Sequence, residues 1–356
     1  YLYAAGLLLL YVSFAVADHP GHDSKPTFCS GDVTKCNSAG INVTCVTNAD
    51  CAKYVADNKA SLTLAKADDL VKNADQLKIV YGQKLTGLDK FVQYYGLAVV
   101  QKNSTIKLTE LKGKKSCHTG VGKTVGWKIP VGYLLYSREM TYTDNQYISA
   151  SNFFGDSCAP GINSTTGVSS EVKADFCKLC NGTCGSNDGY YGYEGAFKCM
   201  ADGNNDRVGF VKQDTADKVV DGKEYGAKSD YKLLCKDGTT AGLADFKNCN
   251  IGVRPLYALV TSKNTSDEMV EKWQELLRNA TFADLKTGGF VSSNAEKLEE
   301  YTGSVEDYVG DYGKYLNNLT VQIPPPSTTM KPSSAPSSFG SLALQAIAIF
   351  AFVFLI

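Results

Sequence analysis

Net charge is almost absent from this 356-residue chain, in which 36 lysines and arginines face 37 aspartates and glutamates to leave −1 at neutral pH. No basic surplus remains to neutralise phosphates, so nucleic acid is excluded as a partner. Histidine is scarce as well. Only three occur, and His19 and His22 flank a leader segment, which leaves His118 alone in the body. No Gly-x-Ser-x-Gly elbow is present, so a hydrolase triad lacks its parts. His118 therefore reads as a structural hydrogen-bonder and the chain as a non-enzyme. No internal repeat of solenoid period is present either.

What is there begins with the two ends. Leu2 to Val12 is uncharged and apolar and closes on Ala15-Val16-Ala17, the pattern of a signal peptide (residues 1–17) cut after Ala17. It is shorter than the roughly 20 apolar residues that span a bilayer. Residues 323–341 form a solvated Pro/Ser/Thr stalk, and residues 342–356 an apolar tail with no basic residue after it. Small residues, a polar spacer and a terminal apolar tail are the signal for a GPI anchor, the tail being removed. Ser333 is the expected attachment residue, with Ser327 and Ser334 as alternatives. The expected location is the extracellular face of the plasma membrane, GPI-anchored.

Asn-x-Ser/Thr sequons at Asn42, Asn103, Asn163, Asn181, Asn264, Asn279 and Asn318 fit a glycosylated exterior. Twelve cysteines, an even number in an oxidising compartment, read as disulfides. Cys177, Cys180 and Cys184 have half the spacing of a zinc site, but no second Cys/His pair follows.

In the body, Gly96 to Val100 and Leu256 to Val260 read as buried strands, while Glu268 to Arg278 and Glu296 to Leu319 carry helical spacing. Strands alternating with helices predict an α/β architecture, long enough for two modest domains. The segment from Lys112 to Trp127 nearly spells a P-loop, yet Cys117 stands where that motif needs its first glycine. What survives is a Gly-rich turn entering a helix, where backbone N–H groups, a hydroxyl and a cation surround one point. That is an anion site. Tyrosine is abundant, with 21 copies, including Tyr94-Tyr95 just before a strand and Tyr190-Tyr191-Gly192-Tyr193. Phenolate is a hard oxygen ligand suited to Fe³⁺, although the residues alone read equally well as core or surface aromatics.

The segments LKGKKSCHTGVGKTVGWKIPVG, FFGDSCAPG, FCKLC, YYGYEGAFKC, VGFVKQDT and YKLLCKDGTTAGLADFKNC, in that order, resemble the transferrins. The likeness runs from about Cys29 to Leu319 and covers one lobe, so the chain is identified as a single-lobe, melanotransferrin-like member with a GPI anchor. The resemblance implies a transferrin lobe of two α/β subdomains, periplasmic-binding-protein-like of type II, around an interdomain cleft. Residues 26–94 and 255–322 would form subdomain 1, and residues 95–254 subdomain 2 with the anion-binding turn. It further implies six disulfides: Cys29–Cys51, Cys36–Cys45, Cys117–Cys199, Cys158–Cys180, Cys177–Cys184 and Cys235–Cys249.

By the same resemblance Tyr94 and Tyr193 are ligands to Fe³⁺, while Thr119, Lys123, Val125 and Gly126 hold a synergistic carbonate or bicarbonate. Three positions depart from the family's pattern. Ala67, or Ala65 with a gap, replaces the ligand aspartate, with Asp68 a substitute only if the loop shifts. Tyr257 replaces the ligand histidine and is either a third phenolate or a hinge aromatic. Lys123 replaces the anion-site arginine, keeping the charge without the planar fork. The expected partners are ferric ion, carbonate and the membrane reached through the anchor, for a monomer whose receptor the sequence does not name. The expected function is local iron capture or sequestration at the cell surface. The alternative is a transferrin-like scaffold that has lost iron and serves in surface interaction or adhesion.

Overall fold

The computed structural model describes residues 25–220 and 222–320; the leader, the stalk, the tail and the candidate anchor serines lie outside them. Strands in chain order are β1 (Thr27–Cys29), β2 (Thr44–Val46), β3 (Leu62–Ala65), β4 (Leu77–Lys84), β5 (Val92–Gln101), β6 (Lys115–His118) and β7 (Ser157–Cys158). They continue with β8 (Arg207–Lys212), β9 (Tyr231–Leu234), β10 (Thr240–Ala241), β11 (Gly252–Pro255), β12 (Ala258–Ser262) and β13 (Lys297–Glu299). They form two sheets. One has the order β13-β4-β12-β3-β1-β2 and the other β10-β9-β5-β8-β6-β7, with β11 also paired to β5. Each is mixed: β1 lies parallel to β2 and β3, and β6 parallel to β7 and β8, while the remaining pairs are antiparallel. This is the α/β class that the alternating pattern predicted.

Strand β5 explains how the sheets are joined. Its run from Tyr95 to Val100 is buried, as a strand covered on both faces must be. Its lower half pairs with β11, matching Tyr94 to Arg254 and Gly96 to Gly252, and its upper half pairs with β8 and β9. The chain therefore passes between the sheets at two adjacent places, from β4 into β5 and from β11 into β12. A register shift between Arg254 and Pro255 marks the second crossing. Tyr94 and Tyr95 lie inside this strand, not before it as the sequence suggested.

The stretch from Glu296 to Leu319 is not one helix, as its spacing implied. Lys297–Glu299 is strand β13, and the helix runs over Val305–Asn318, opened by the Ser304 side chain capping the Asp307 amide. Inside it Gly310 has φ 51° and ψ −135°, a conformation open essentially to glycine alone. The bend sends Val305, Tyr308 and Val309 into the core under the first sheet, and Tyr312 and Tyr315 into the core of the second. Close packing there depends on Gly132, where a Cβ would stand 2.6 Å from the Tyr315 carbonyl oxygen.

All twelve cysteines are paired, as Cys29–Cys51, Cys36–Cys45, Cys117–Cys199, Cys158–Cys180, Cys177–Cys184 and Cys235–Cys249, and none is free. Bridging Cys177 and Cys180 removes the thiolates that a zinc site would need. Six of the sequon asparagines are exposed. Asn318 corrects the seventh: it is 2% exposed and donates from Nδ2 to the Lys314 carbonyl at 2.9 Å, so the folded helix end has no room for a sugar.

Candidate functional site

Beside the crossing strands lies a cleft of about 290 Å³, lined by Gln93, Tyr94, Thr119, Lys123, Thr124, Tyr191, Gly192, Tyr193, Arg254 and Tyr257. Four separate segments bring these residues together, the fourth being β11 and the turn after it, which carry Arg254 and Tyr257. Strand β5 supplies Tyr94, and because side chains alternate along a strand its neighbour Tyr95 turns the other way, its hydroxyl donating to Asp89. The segment after β6 supplies Thr119 and Lys123. The start of the Gly192–Ala201 helix supplies Tyr193, held next to that segment by the Gly192 amide donating to the Thr119 carbonyl at 2.9 Å. Gly192 has φ 82°, a left-handed conformation that lets the chain turn into the helix.

The Tyr94 and Tyr193 rings lie 6.3 Å apart. The Lys212 ammonium stands over both, 5.2 and 5.0 Å from the ring centres, and pairs with Asp214 at 3.1 Å. Burial, with help from Tyr94 and Asp214, pushes the Tyr193 phenol up to about 12 against the opposing charge of Arg254. Tyr193 is therefore protonated near neutrality, and a metal that binds this oxygen must displace its proton.

The Gly-rich segment after β6 turns tightly before it enters a helix. Gly120 and Gly122 have positive φ of 141° and 71°. Residues Thr124–Lys128 form a wide turn that runs into the Ile129–Tyr136 helix. The first hydrogen bonds into it come from Trp127 and Lys128, both to the Lys123 carbonyl, so the Val125 and Gly126 amides precede the ladder. Gly126 packs against Thr119 so closely that a Cβ would lie 2.6 Å from the Thr119 amide nitrogen. Thr119 Oγ1 is buried without a hydrogen-bond partner, a cost normally met by a ligand or water. These features fit a small oxyanion. Lys123 is exposed, with its ammonium 5.2 Å from the Tyr191 ring centre.

His118 supports the turn from behind. It is fully buried, its Nδ1 donates to the Gly126 carbonyl at 2.8 Å, and its Nε2 accepts from Ser116 at 2.8 Å. It is the structural hydrogen-bonder that the sequence indicated.

The substituted positions fall as follows. Ala67 is buried at the start of the Ala67–Lys72 helix and does not line the cleft. Asp68 lines the adjoining cavity of about 560 Å³. Both its oxygens are engaged, Oδ2 with Lys128 at 2.5 Å and Oδ1 with the Tyr312 hydroxyl. Burial alone would raise its carboxyl, but those two bonds outweigh it and hold the group below the ordinary carboxylate range. Tyr257 sits in the turn between β11 and β12, where its carbonyl accepts from Gln83 at 3.0 Å and its ring faces both cavities.

Sequence reasoning missed Arg254 and Gln93. Arg254 is one of only four arginines in the chain. Its pairing opposite Tyr94 is the signal that would have found it, but that register needs the strand alignment. Among the described residues no carboxylate lines the tyrosine cleft.

A family profile described as Transferrin matches residues 23–297. The chain is 37% identical over 225 residues to the serotransferrin of Equus caballus, covering 59% of this chain and 30% of that protein. Against serotransferrin-A of Xenopus laevis it is 34% identical over 266 residues, 69% of this chain and 36% of the relative. Against the melanotransferrin of Homo sapiens it is 36% identical over 193 residues, 50% and 25%. The chain thus spans about a third of the length of the curated relatives it matches. Among solved structures, transferrin 1 of Manduca sexta matches with a TM-score of 0.64 at 22% identity, over 82% of this chain and 52% of that one, a likeness of fold.

Proposed function

Since this chain belongs to the transferrin family, whose members are non-enzymatic binders of ferric ion with carbonate, we propose that it captures ferric ion in the cleft beside its crossing strands and acts at the cell surface. One observation carries the reading: Tyr94 and Tyr193 come from different segments to within 6.3 Å of each other, beside a buried Thr119 hydroxyl that has no partner. In this proposal both phenolates bind the metal, and Tyr257 is placed to add a third. Thr119, Lys123 and the Val125 and Gly126 amides hold carbonate against it. Lys123 offers a point charge where the family's pattern has an arginine, so the anion is held less tightly and iron with it.

The proposed subdomains are residues 26–94 with 255–322, and 95–254, hinged at β5 and β11. Opening at that hinge admits the metal. Acid releases it, because protons compete for carbonate and for the phenolates. The anchored location rests on the stalk and apolar tail in the sequence; a phosphatidylinositol-specific phospholipase should release the protein from intact cells, and retention after treatment would count against the anchor.

Ferric ion and bicarbonate added to the glycosylated ectodomain should produce a visible phenolate-to-iron charge-transfer band that Tyr193→Phe abolishes. A second reading has its own support, since no carboxylate lines the cleft and Asp68 is committed elsewhere. In it the lobe has lost iron and serves as a surface interaction scaffold. A colourless protein that retains far less than one iron per chain would establish that reading instead.

A further inference from the structure

A further cavity, of about 300 Å³, lies on the other side of β11 from the tyrosines. Side chains alternate along a strand, so while Arg254 faces the tyrosine cleft its neighbours Val253 and Pro255 line this cavity. Two backbone outliers stand in its wall. Phe91, at the crossing from β4 into β5, has φ 66°, a left-handed conformation that strains a bulky residue. It is held there by its amide donating to the Gln83 carbonyl at 3.0 Å and by its carbonyl accepting from the Leu256 amide at 2.7 Å. Gly310, at the bend of the Val305–Asn318 helix, is the other. Strain of this kind collects at ligand clamps and switch points.

The lining is of two kinds. Part is aromatic, with the Phe91 ring centre 5.2 Å from that of Tyr301 and 5.3 Å from that of Tyr308. Part is the Lys236 ammonium, which lies 5.6 Å from the Tyr133 and Tyr315 ring centres and donates to the Tyr315 hydroxyl at 3.0 Å. Its ion pair with Asp311 is long, 3.7 Å, and that carboxylate is bonded to Lys314 at 2.9 Å. Desolvation against the rings outweighs the pull of Asp311 and holds the ammonium below the ordinary lysine range. The other charges of the wall are already engaged, Lys90 with Glu299 at 2.9 Å and Asp307 with the Ser304 hydroxyl at 2.8 Å. Lys236 is the charge left to recognise a guest.

We propose that this cavity binds a small aromatic carboxylate, with its ring among Phe91, Tyr301 and Tyr308 and its carboxylate on Lys236. The proposal goes beyond the ferric reading and does not need it. A carboxylate supplies the charged acceptor that the Tyr315 hydroxyl cannot. Aromatic walls that meet edge to face favour a planar ring over an aliphatic chain. The walls come from both crossing strands and from the bend of the helix, so rotation at the proposed hinge reshapes the cavity. A guest that fits one of those shapes better than the other therefore biases the cleft.

The test uses the metal-free ectodomain, titrated calorimetrically with phenylacetate. Wild type should bind with a Kd at or below about 1 mM, as about ten heavy atoms in a fitted cavity allow. Lys236→Met should weaken binding by about tenfold to a hundredfold, the loss of a charge-assisted hydrogen bond. Lys236→Arg should keep most of the affinity. With 38% of its side chain exposed, Lys236 can be replaced without unfolding the chain, and thermal melting checks this. Val253→Trp, which fills the cavity, should abolish binding; if that variant does not fold, the Lys236 pair decides.

Phenethylamine, which carries the same ring with the opposite charge, should not bind. No heat with phenylacetate, binding indifferent to Lys236, or equal binding of phenethylamine overturns the proposal. Coupling to the cleft is read by small-angle scattering at saturating phenylacetate, where the radius of gyration should change in wild type and stay fixed in Lys236→Met. An unchanged radius in wild type despite Lys236-dependent binding overturns the coupling. A missing ferric band alters none of these readouts and would remove the iron reading alone.

Discussion

Acid should loosen this protein through one residue. His118 is the single histidine among the described residues, and burial among Trp127, Phe154, Phe176 and Phe210 lowers its pKa from 6.5 to about 4. Below pH 6.5 the unfolded chain takes up a proton that the folded chain refuses, so stability is full near neutrality and falls as pH drops toward 4. The gap is worth about 3 kcal/mol in full, and about 2 kcal/mol between pH 7.4 and pH 5. Asp69 and Glu139, both raised chiefly by burial, work the other way at more acid pH.

The assay is urea unfolding with disulfides intact at pH 7.4 and pH 5. At a slope of about 2–3 kcal/mol per molar urea, the midpoint should fall by roughly 1 M. His118→Gln should be less stable at both pH values, because ring packing is lost, yet nearly flat between them. Loss of the bond to the Gly126 carbonyl should also loosen the anion turn. An equal pH slope in wild type and variant would refute the reasoning.

Three further substitutions test the frame. Gly126→Ala forces a Cβ to within 2.6 Å of a backbone nitrogen, so it should cost about 1–3 kcal/mol in melting experiments and weaken bicarbonate-dependent iron loading. Gly310→Ala meets no steric neighbour but must hold φ 51° and ψ −135°, and calorimetry should show a loss of about 1–3 kcal/mol from backbone strain. Asp68→Asn removes the Lys128 pair; since the carboxylate is 37% exposed and water screens it, the loss at pH 7 should be only about 1 kcal/mol. That contribution is present above the usual carboxylate range and disappears as pH falls through the lowered Asp68 value, so variant and wild type should converge in strong acid.

Much of the frame was legible because it depends on local signals. The apolar run in β5 and the glycines at positive φ in the turn after β6 each lie within one short stretch, and the even cysteine count needs composition alone. The C-terminal helix was overextended because helical spacing continues through Glu296 to Glu299, while pairing with β4 pulls that segment into a strand. Asn318 was misjudged because a sequon says nothing of burial. Arg254 was invisible for a different reason. Its significance comes from facing Tyr94 across two strands far apart in sequence, and no local pattern encodes that register.

The most direct measurement of the central claim is iron stoichiometry with a visible spectrum on the glycosylated ectodomain, with and without bicarbonate. The account predicts one ferric ion per chain, a phenolate charge-transfer band that depends on bicarbonate, and loss of both in Tyr193→Phe. A colourless protein without bound iron, or a band that persists in Tyr193→Phe, would contradict it.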